Sequence, residues 1–287
     1  MNRRELLRIG QRSLLAAMAT GLASGWLSPK AGTPAESESE SELEAESEVE
    51  AKPETPSQEP PPKPSLKIQW LGHSCFLFVG DGLRFLVNPF STVGCTAGYR
   101  PVQVEADLVL ISSRLLDEGN AEGLPGNPRL LFEPGAYQFR RKQIQGIRMR
   151  HDRQGGRRFG INVAWGWTLA GIKILHLGGA AAPITTDQQI LMGRPDLLFV
   201  PVGGGAKSYN AQEAKQAIET LKPKLVIPTL YRTQAANPDA CDILPIDRFL
   251  SAMEGTPIEK VKSDSIEINP DRLPETGRTI KVLSYEF

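Results

Sequence analysis

Leu66-Lys67-Ile68-Gln69-Trp70-Leu71-Gly72-His73-Ser74-Cys75-Phe76-Leu77-Phe78-Val79-Gly80-Asp81-Gly82 decides how the folded part of this chain is built. Two strand-like apolar runs, 66–71 and 75–79, are interrupted only by Gly72-His73-Ser74, so the chain must turn there. Gly80-Asp81-Gly82 is a hairpin signal leading into a third run at 84–88. Further along, 107–112 reads as a short apolar strand that ends in polar residues, and 144–149, 161–165 and 172–176 read as strands too. The runs 197–202 and 225–229 are wholly apolar, which calls for cover on both faces. Helices are expected over 185–192 and 211–221, the second capped by Asn210. Antiparallel strands first, then strand and helix in alternation, imply two packed sheets with helices outside.

The chain has 287 residues and a formal net charge of zero, with 40% hydrophobic residues, enough for a sizeable core. Zero is an average over three unlike segments. Residues 1–27 carry four Arg and one Glu, and Arg3-Arg4 precede Leu6-Leu7 and a soft apolar run over 13–27. A basic start, a modest apolar stretch and small residues form an export signal of twin-arginine type, cut after Ala23 or near Ala31. As a helix the 15-residue run reaches only ~22 Å, short of a ~30 Å hydrocarbon core, so membrane attachment is expected only through an uncleaved signal. Residues 28–65 carry ten Glu, three Lys and dense proline. Such a composition cannot offset chain entropy, so this segment is expected to be a disordered linker. Residues 66–287 form the expected domain, and its place of action is expected to be the periplasm or the thylakoid lumen.

Six blocks then occur in order: 70–76 (WLGHSCF), Asn88-Pro89-Phe90, 107–112 (DLVLIS), Leu175-His176-Leu177-Gly178, 200–205 (VPVGGG) and 227–233 (IPTLYRT). Together they resemble the metallo-β-lactamase superfamily, in the branch of ascorbate-phosphate lactonases and related metal-dependent hydrolases, over roughly 66–255. The resemblance implies an α+β fold, a four-layer αββα sandwich, with a metal site at one edge built from loops that follow the strands.

The same resemblance implies seven ligand positions. The family's His-x-His-x-Asp-His loop falls on Ser113-Arg114-Leu115-Leu116-Asp117-Glu118. Ser113 and Leu115 stand where imidazoles are expected, Asp117 matches, and Glu118 is an oxygen donor in place of a histidine. His151 matches the next ligand. Gly179 stands at the bridging aspartate and Leu230 at the last histidine. Catalytic zinc takes about three protein ligands plus water, and three histidines in the whole chain limit the supply. The expectation is therefore a degenerate site with no metal cofactor, zinc or other, and a non-catalytic binding or structural role. The alternative is a hydrolase with an atypical single metal on Asp117, Glu118 and His151.

Other readings of these residues stay open. Asp117 and Glu118 also suit a helix N-terminus, His73 suits a loop-holding role beside the cleft, and His176 suits a buried structural imidazole. Between Arg140 and Arg158 stand seven Arg and one Lys against one Asp. Guanidinium forks suit an anionic ligand or a protein partner. Without interleaved aromatics, the stripe gives no reason to expect nucleic acid. Gly203-Gly204-Gly205 lacks the Gly-Lys-Ser/Thr ending of a phosphate loop and reads as a tight turn. In the fold that the resemblance implies, the loops carrying Cys95 and Cys241 both border the cleft, so a disulfide between them is expected, with Cys75 a buried free thiol.

Overall fold

The computed structural model describes residues 63–286. The expected export signal and nearly all of the expected linker lie outside the described residues. Two mixed sheets face one another. The first has the order β13-β1-β2-β3-β4-β5, from β1 (Leu66–Gly72), β2 (Cys75–Gly80), β3 (Leu83–Val87), β4 (Leu108–Leu110), β5 (Arg129–Leu131) and β13 (Ser265–Ile268). The second runs β12-β14-β11-β10-β9-β8-β7-β6. Its strands are β6 (Gly135–Phe139), β7 (Lys142–Arg150), β8 (Ile161–Leu169), β9 (Ile172–His176), β10 (Leu197–Pro201), β11 (Leu225–Thr229), β12 (Ile258–Lys260) and β14 (Thr279–Val282).

Alternation along the strands sorts the core into two layers. Phe85, Val87, Leu108 and Leu110 point between the sheets, while Leu86 and Val109 point outward into a second apolar cluster. Between the sheets, Phe199 of β10 meets Phe76 and Phe78 of β2 edge-on at 4.8 and 5.0 Å, and Phe78 meets Trp167 of β8 at 5.0 Å. Such pairs add about 0.5–1.5 kcal/mol each beyond their buried area. The outer cluster is covered by Phe90, Tyr99, Val102, Ala235 and Ala236, so loop segments build the outer layer on that side.

The helices α1 (Thr186–Met192), α2 (Ala211–Leu221) and α3 (Asp247–Ala252) accompany the second sheet. Both α1 and α2 open with a capping box, on Thr185 with Gln188 and on Asn210 with Glu213. Ala214, Ala217, Ile218 and Leu221 give α2 its buried face. The central strands β9, β10, β11 and β14 are parallel, so their carboxyl ends and the loops after them share one edge of the sandwich. The α+β sandwich expected from the sequence is the fold observed. Among the described residues no helix is long and apolar enough to cross a membrane.

Candidate functional site

Strand ends bring the chemistry-bearing residues to that edge. His73 sits in the β1–β2 turn with φ of 53°, after Gly72 at φ 111°, where a Cβ would stand 2.4 Å from the Tyr99 ring. Ser112 and Ser113 follow β4, and the side-chain oxygen of Asn88 accepts the Ser112 N–H at 2.8 Å, fixing where that loop leaves the sheet. His151 follows β7, His176 ends β9, and Leu230 follows β11. Buried Asn162 of β8 ties the ends together: its amide donates to the Leu177 carbonyl at 2.7 Å and accepts the Gly179 N–H at 3.0 Å. Nothing in the strand pattern marked Asn162 as a site residue; a polar side chain inside an otherwise apolar strand was the available signal.

Glu118 and His151 meet. Both are fully buried, with Glu118 Oε2 3.4 Å from His151 Nε2. The Ser113 hydroxyl donates to the same carboxylate oxygen at 2.8 Å. Glu118 Oε1 and both nitrogens of His151 have no hydrogen-bond partner. A Cβ placed on Gly179 would stand 2.2 Å from Glu118 Oε1 and 2.5 Å from His151 Nε2. The Glu118 carboxylate therefore fills the space that a side chain at 179 would need. Burial by itself would raise the carboxyl pKa of Glu118, but the neighbouring His151 and the field of Lys207 outweigh it and lower the pKa.

Asp117 points elsewhere. It forms a close ion pair with Lys207 Nζ, and His73 Nε2 lies 3.7 Å from the same carboxylate oxygen. Burial opposes its charge, yet His73 and Lys207 hold its carboxyl far below the usual carboxylate range. The sequence reading did not single out Lys207 for this site; the pair is 90 residues apart in sequence. Of the three residues in the single-metal alternative, the fold thus joins Glu118 to His151 and gives Asp117 to a lysine. Among the described residues no group of three or more His, Cys, Asp and Glu side chains could hold a metal ion. What the site offers is one carboxylate oxygen and one imidazole nitrogen, both buried and without a hydrogen-bond partner.

The remaining expected residues have other settings. Leu230 is buried with φ of 52°, and its N–H donates to the His73 carbonyl at 3.3 Å. Leu115 is partly exposed. Cys95 and Cys241 are joined by a disulfide with a Cα separation of 4.3 Å, and Cys75 is a buried free thiol. In the basic stripe, Arg140 pairs with Asp107 at 3.1 Å, and Arg153 binds Glu213 and the carbonyls of Gly205 and Ser208. Arg148 and Arg150 share the exposed face of β7, and Arg157 and Arg158 are exposed in the following loop. That loop is wound on Asp152, whose carboxylate accepts the N–H groups of Gln154, Gly156, Arg158 and Phe159.

His176 is a structural imidazole. It stacks on Phe199 at 5.3 Å, its Nδ1 accepts the Gly178 N–H at 3.1 Å, and burial pushes its pKa down from 6.5 to about 3. A base buried in its neutral form contributes stability that is complete above the unfolded pKa and is lost as pH falls toward the folded one. Between pH 6.5 and 3 the folded protein should lose up to about 1.4 kcal/mol per pH unit through this group. Urea unfolding at stepped pH should show this slope, and His176→Leu should flatten it. An unchanged slope would assign the acid sensitivity to other groups.

The sequence matches the model of the beta-lactamase superfamily domain over residues 67–230. A UPF0173 metal-dependent hydrolase of Thermococcus onnurineus is 30% identical over 205 residues, covering 61% of this chain and 89% of that protein. A solved structure from Thermotoga maritima, named as a Zn-dependent hydrolase of the metallo-β-lactamase superfamily, superposes with a TM-score of 0.61 at 28% identity, covering 76% of this chain and 98% of that one. A metal-dependent hydrolase from Parabacteroides distasonis, at 14% identity and TM-score 0.53, shares the fold. The expectation of a chain without a metal cofactor is corrected by these relatives, which are named for their dependence on metal. Counting ligands position by position could not show that a carboxylate from position 118 reaches the space beside position 179. The chain belongs to the metallo-β-lactamase superfamily, among its metal-dependent hydrolases.

Proposed function

We propose that this protein is a hydrolase working with one divalent metal ion, held by Glu118 and His151. The observation that carries the reading is that Glu118 Oε1 and His151 Nε2 are buried, without a hydrogen-bond partner, and both lie against Gly179. Buried polar atoms are nearly always satisfied, and leaving one unmet costs about 1–3 kcal/mol, so two adjacent exceptions of ligand type ask for a cation. When bound, such an ion lowers the pKa of a water molecule toward neutrality and polarises the scissile group.

The chain's own residues supply the rest. Ser113 donates to Glu118 Oε2 and leaves Oε1 free to bind. Asn162 holds 177–179 against the sheet edge and so fixes the Gly179 backbone beside the Glu118–His151 pair. Arg148, Arg150, Arg157 and Arg158, exposed on either side of His151, favour an anionic substrate. Elemental analysis of purified protein should find one Zn, Mn or Fe per chain. Glu118→Gln and His151→Ala should each lose the ion along with hydrolysis of anionic ester substrates. Metal-free protein from metal-supplemented expression would overturn the reading.

A further inference from the structure

We infer that the outer face of α1 is a membrane-contact surface: Ile190 and Leu191, flanked by Arg148, Arg150, Arg194 and Lys222, suit the interface of a bilayer with anionic headgroups. The inference goes beyond the hydrolase reading and does not rest on it.

Ile190 and Leu191 are 74% and 58% exposed, and α1 has no buried residue. The helix is nevertheless held in place. Ile184 just before it and Met192 at its end pack against the core. Between them, the Gln188 amide donates to the Arg148 carbonyl of β7 at 2.8 Å, and the Gln189 amide donates to the Thr220 carbonyl of α2 at 3.2 Å. Polar bonds thus seat α1 on its neighbours and leave two adjacent aliphatic side chains in water. Single exposed aliphatics are ordinary, but these two are consecutive on a fastened helix. Burying each in an apolar phase is worth up to about 1.5–3 kcal/mol.

The surroundings are basic. Arg148 and Arg150 stand on the exposed face of β7, the strand beside α1. At the other end, the Arg194 Nε donates to the Lys222 carbonyl at 2.8 Å, which places both exposed residues just beyond the last turn of the helix. Among the described residues none of these four side chains has an acidic partner. Asp187 at the start of α1 and Glu219 in α2 are the exposed acids nearby, so cations are in excess.

Size and charge select the occupant. Two side chains present far less than the roughly 800 Å² per partner that a stable protein interface buries. A second copy would also bring the same cations face to face, which repels. A bilayer needs no matching surface: aliphatic side chains enter the boundary below the headgroups while guanidinium and ammonium groups meet lipid phosphates. Each basic residue near an anionic leaflet adds about 1 kcal/mol, so the contact is reversible and sensitive to salt.

The test places a nitrobenzoxadiazole label on Leu191→Cys in the oxidised full chain, where Cys75 is buried and the other two cysteines are bonded to each other. Vesicles of equal parts phosphatidylglycerol and phosphatidylcholine should shift its emission to the blue. Pure phosphatidylcholine should not. Arg194→Gln/Lys222→Gln in the labelled protein should raise the lipid concentration at half-shift by about tenfold or more, as two basic contacts are lost. Ile190→Ser should raise it as well. No shift with the anionic vesicles overturns the inference, even if the protein sediments with them through another segment. An equal shift from a label on Ile258→Cys, at the edge strand β12, would mean general adhesion and overturn it too. A shift without vesicles that grows with protein concentration would assign the face to a second copy instead. Should Leu191→Cys not fold, Ile190→Cys carries the label, with Leu191→Ser as its companion.

Discussion

Gly179→Asp, the substitution that restores the family's carboxylate, is expected to destabilise this protein by about 3–5 kcal/mol instead of repairing its site. The backbone at 179 is not the obstacle, since its φ is not among the positive values. Space is the obstacle: the first added carbon would stand 2.2 Å from Glu118 Oε1 and 2.5 Å from His151 Nε2. Neither neighbour can step aside, because both are fully buried, Ser113 holds the Glu118 carboxylate, and the backbone N–H of His151 is tied to the Gly160 carbonyl at 3.1 Å. A second carboxylate would also meet Glu118 as a like charge out of water, where repulsion is strong. Glu118→Ala alone removes the ligand but leaves the space. The double variant Gly179→Asp/Glu118→Ala should therefore recover much of the stability lost in Gly179→Asp, a coupling that urea denaturation of all four proteins would measure. Additive effects would mean that the two positions do not compete for one space.

Removing the Cys95–Cys241 bond should have the next largest effect. The bond joins residues 146 apart in sequence, so it confines a long loop of the unfolded chain. Chain entropy alone sets an upper figure of about 5 kcal/mol for a loop of this span, and such bridges typically contribute about 2–4 kcal/mol. Locally it fastens the short 3-10 turn at Gly94–Thr96 to the one at Pro238–Ala240, where the Asn237 N–H also donates to the Cys95 carbonyl at 3.2 Å. Both segments cover the outer face of the first sheet, and Tyr99, within that cover, shares a 2.6 Å hydrogen bond with Thr233 and packs its ring 6.4 Å from His73. Cys241→Ser, or reductant added to the parent, should lower the urea midpoint by an amount matching that loss. Thiol titration of oxidised protein should find no reactive group when folded and one when unfolded, since burial both hides Cys75 and raises its thiol pKa. Three titratable thiols and an unmoved midpoint would remove the bond from the account.

What the sequence determined by itself is local. The strands at 66–72, 75–80, 172–176, 197–201 and 225–229 and the Asn210-capped helix follow from apolar runs, turn residues and caps whose partners lie within a few positions. The resemblance supplied the order of blocks, and with it the places where ligands are missing, because a leucine at 115 or 230 cannot donate in any fold. The strands 129–131, 135–139 and 258–260 were not legible. They carry mostly exposed or half-exposed residues, and their strand form comes from the sheet edges they extend. The working site was decided by the tertiary structure. Glu118 reaches the space over Gly179 only because Asn162 draws 177–179 against the end of β4, and Lys207 reaches Asp117 only because Arg153 ties two distant loops together. Both contacts depend on hydrogen bonds between residues far apart in the chain, whose direction no local pattern encodes.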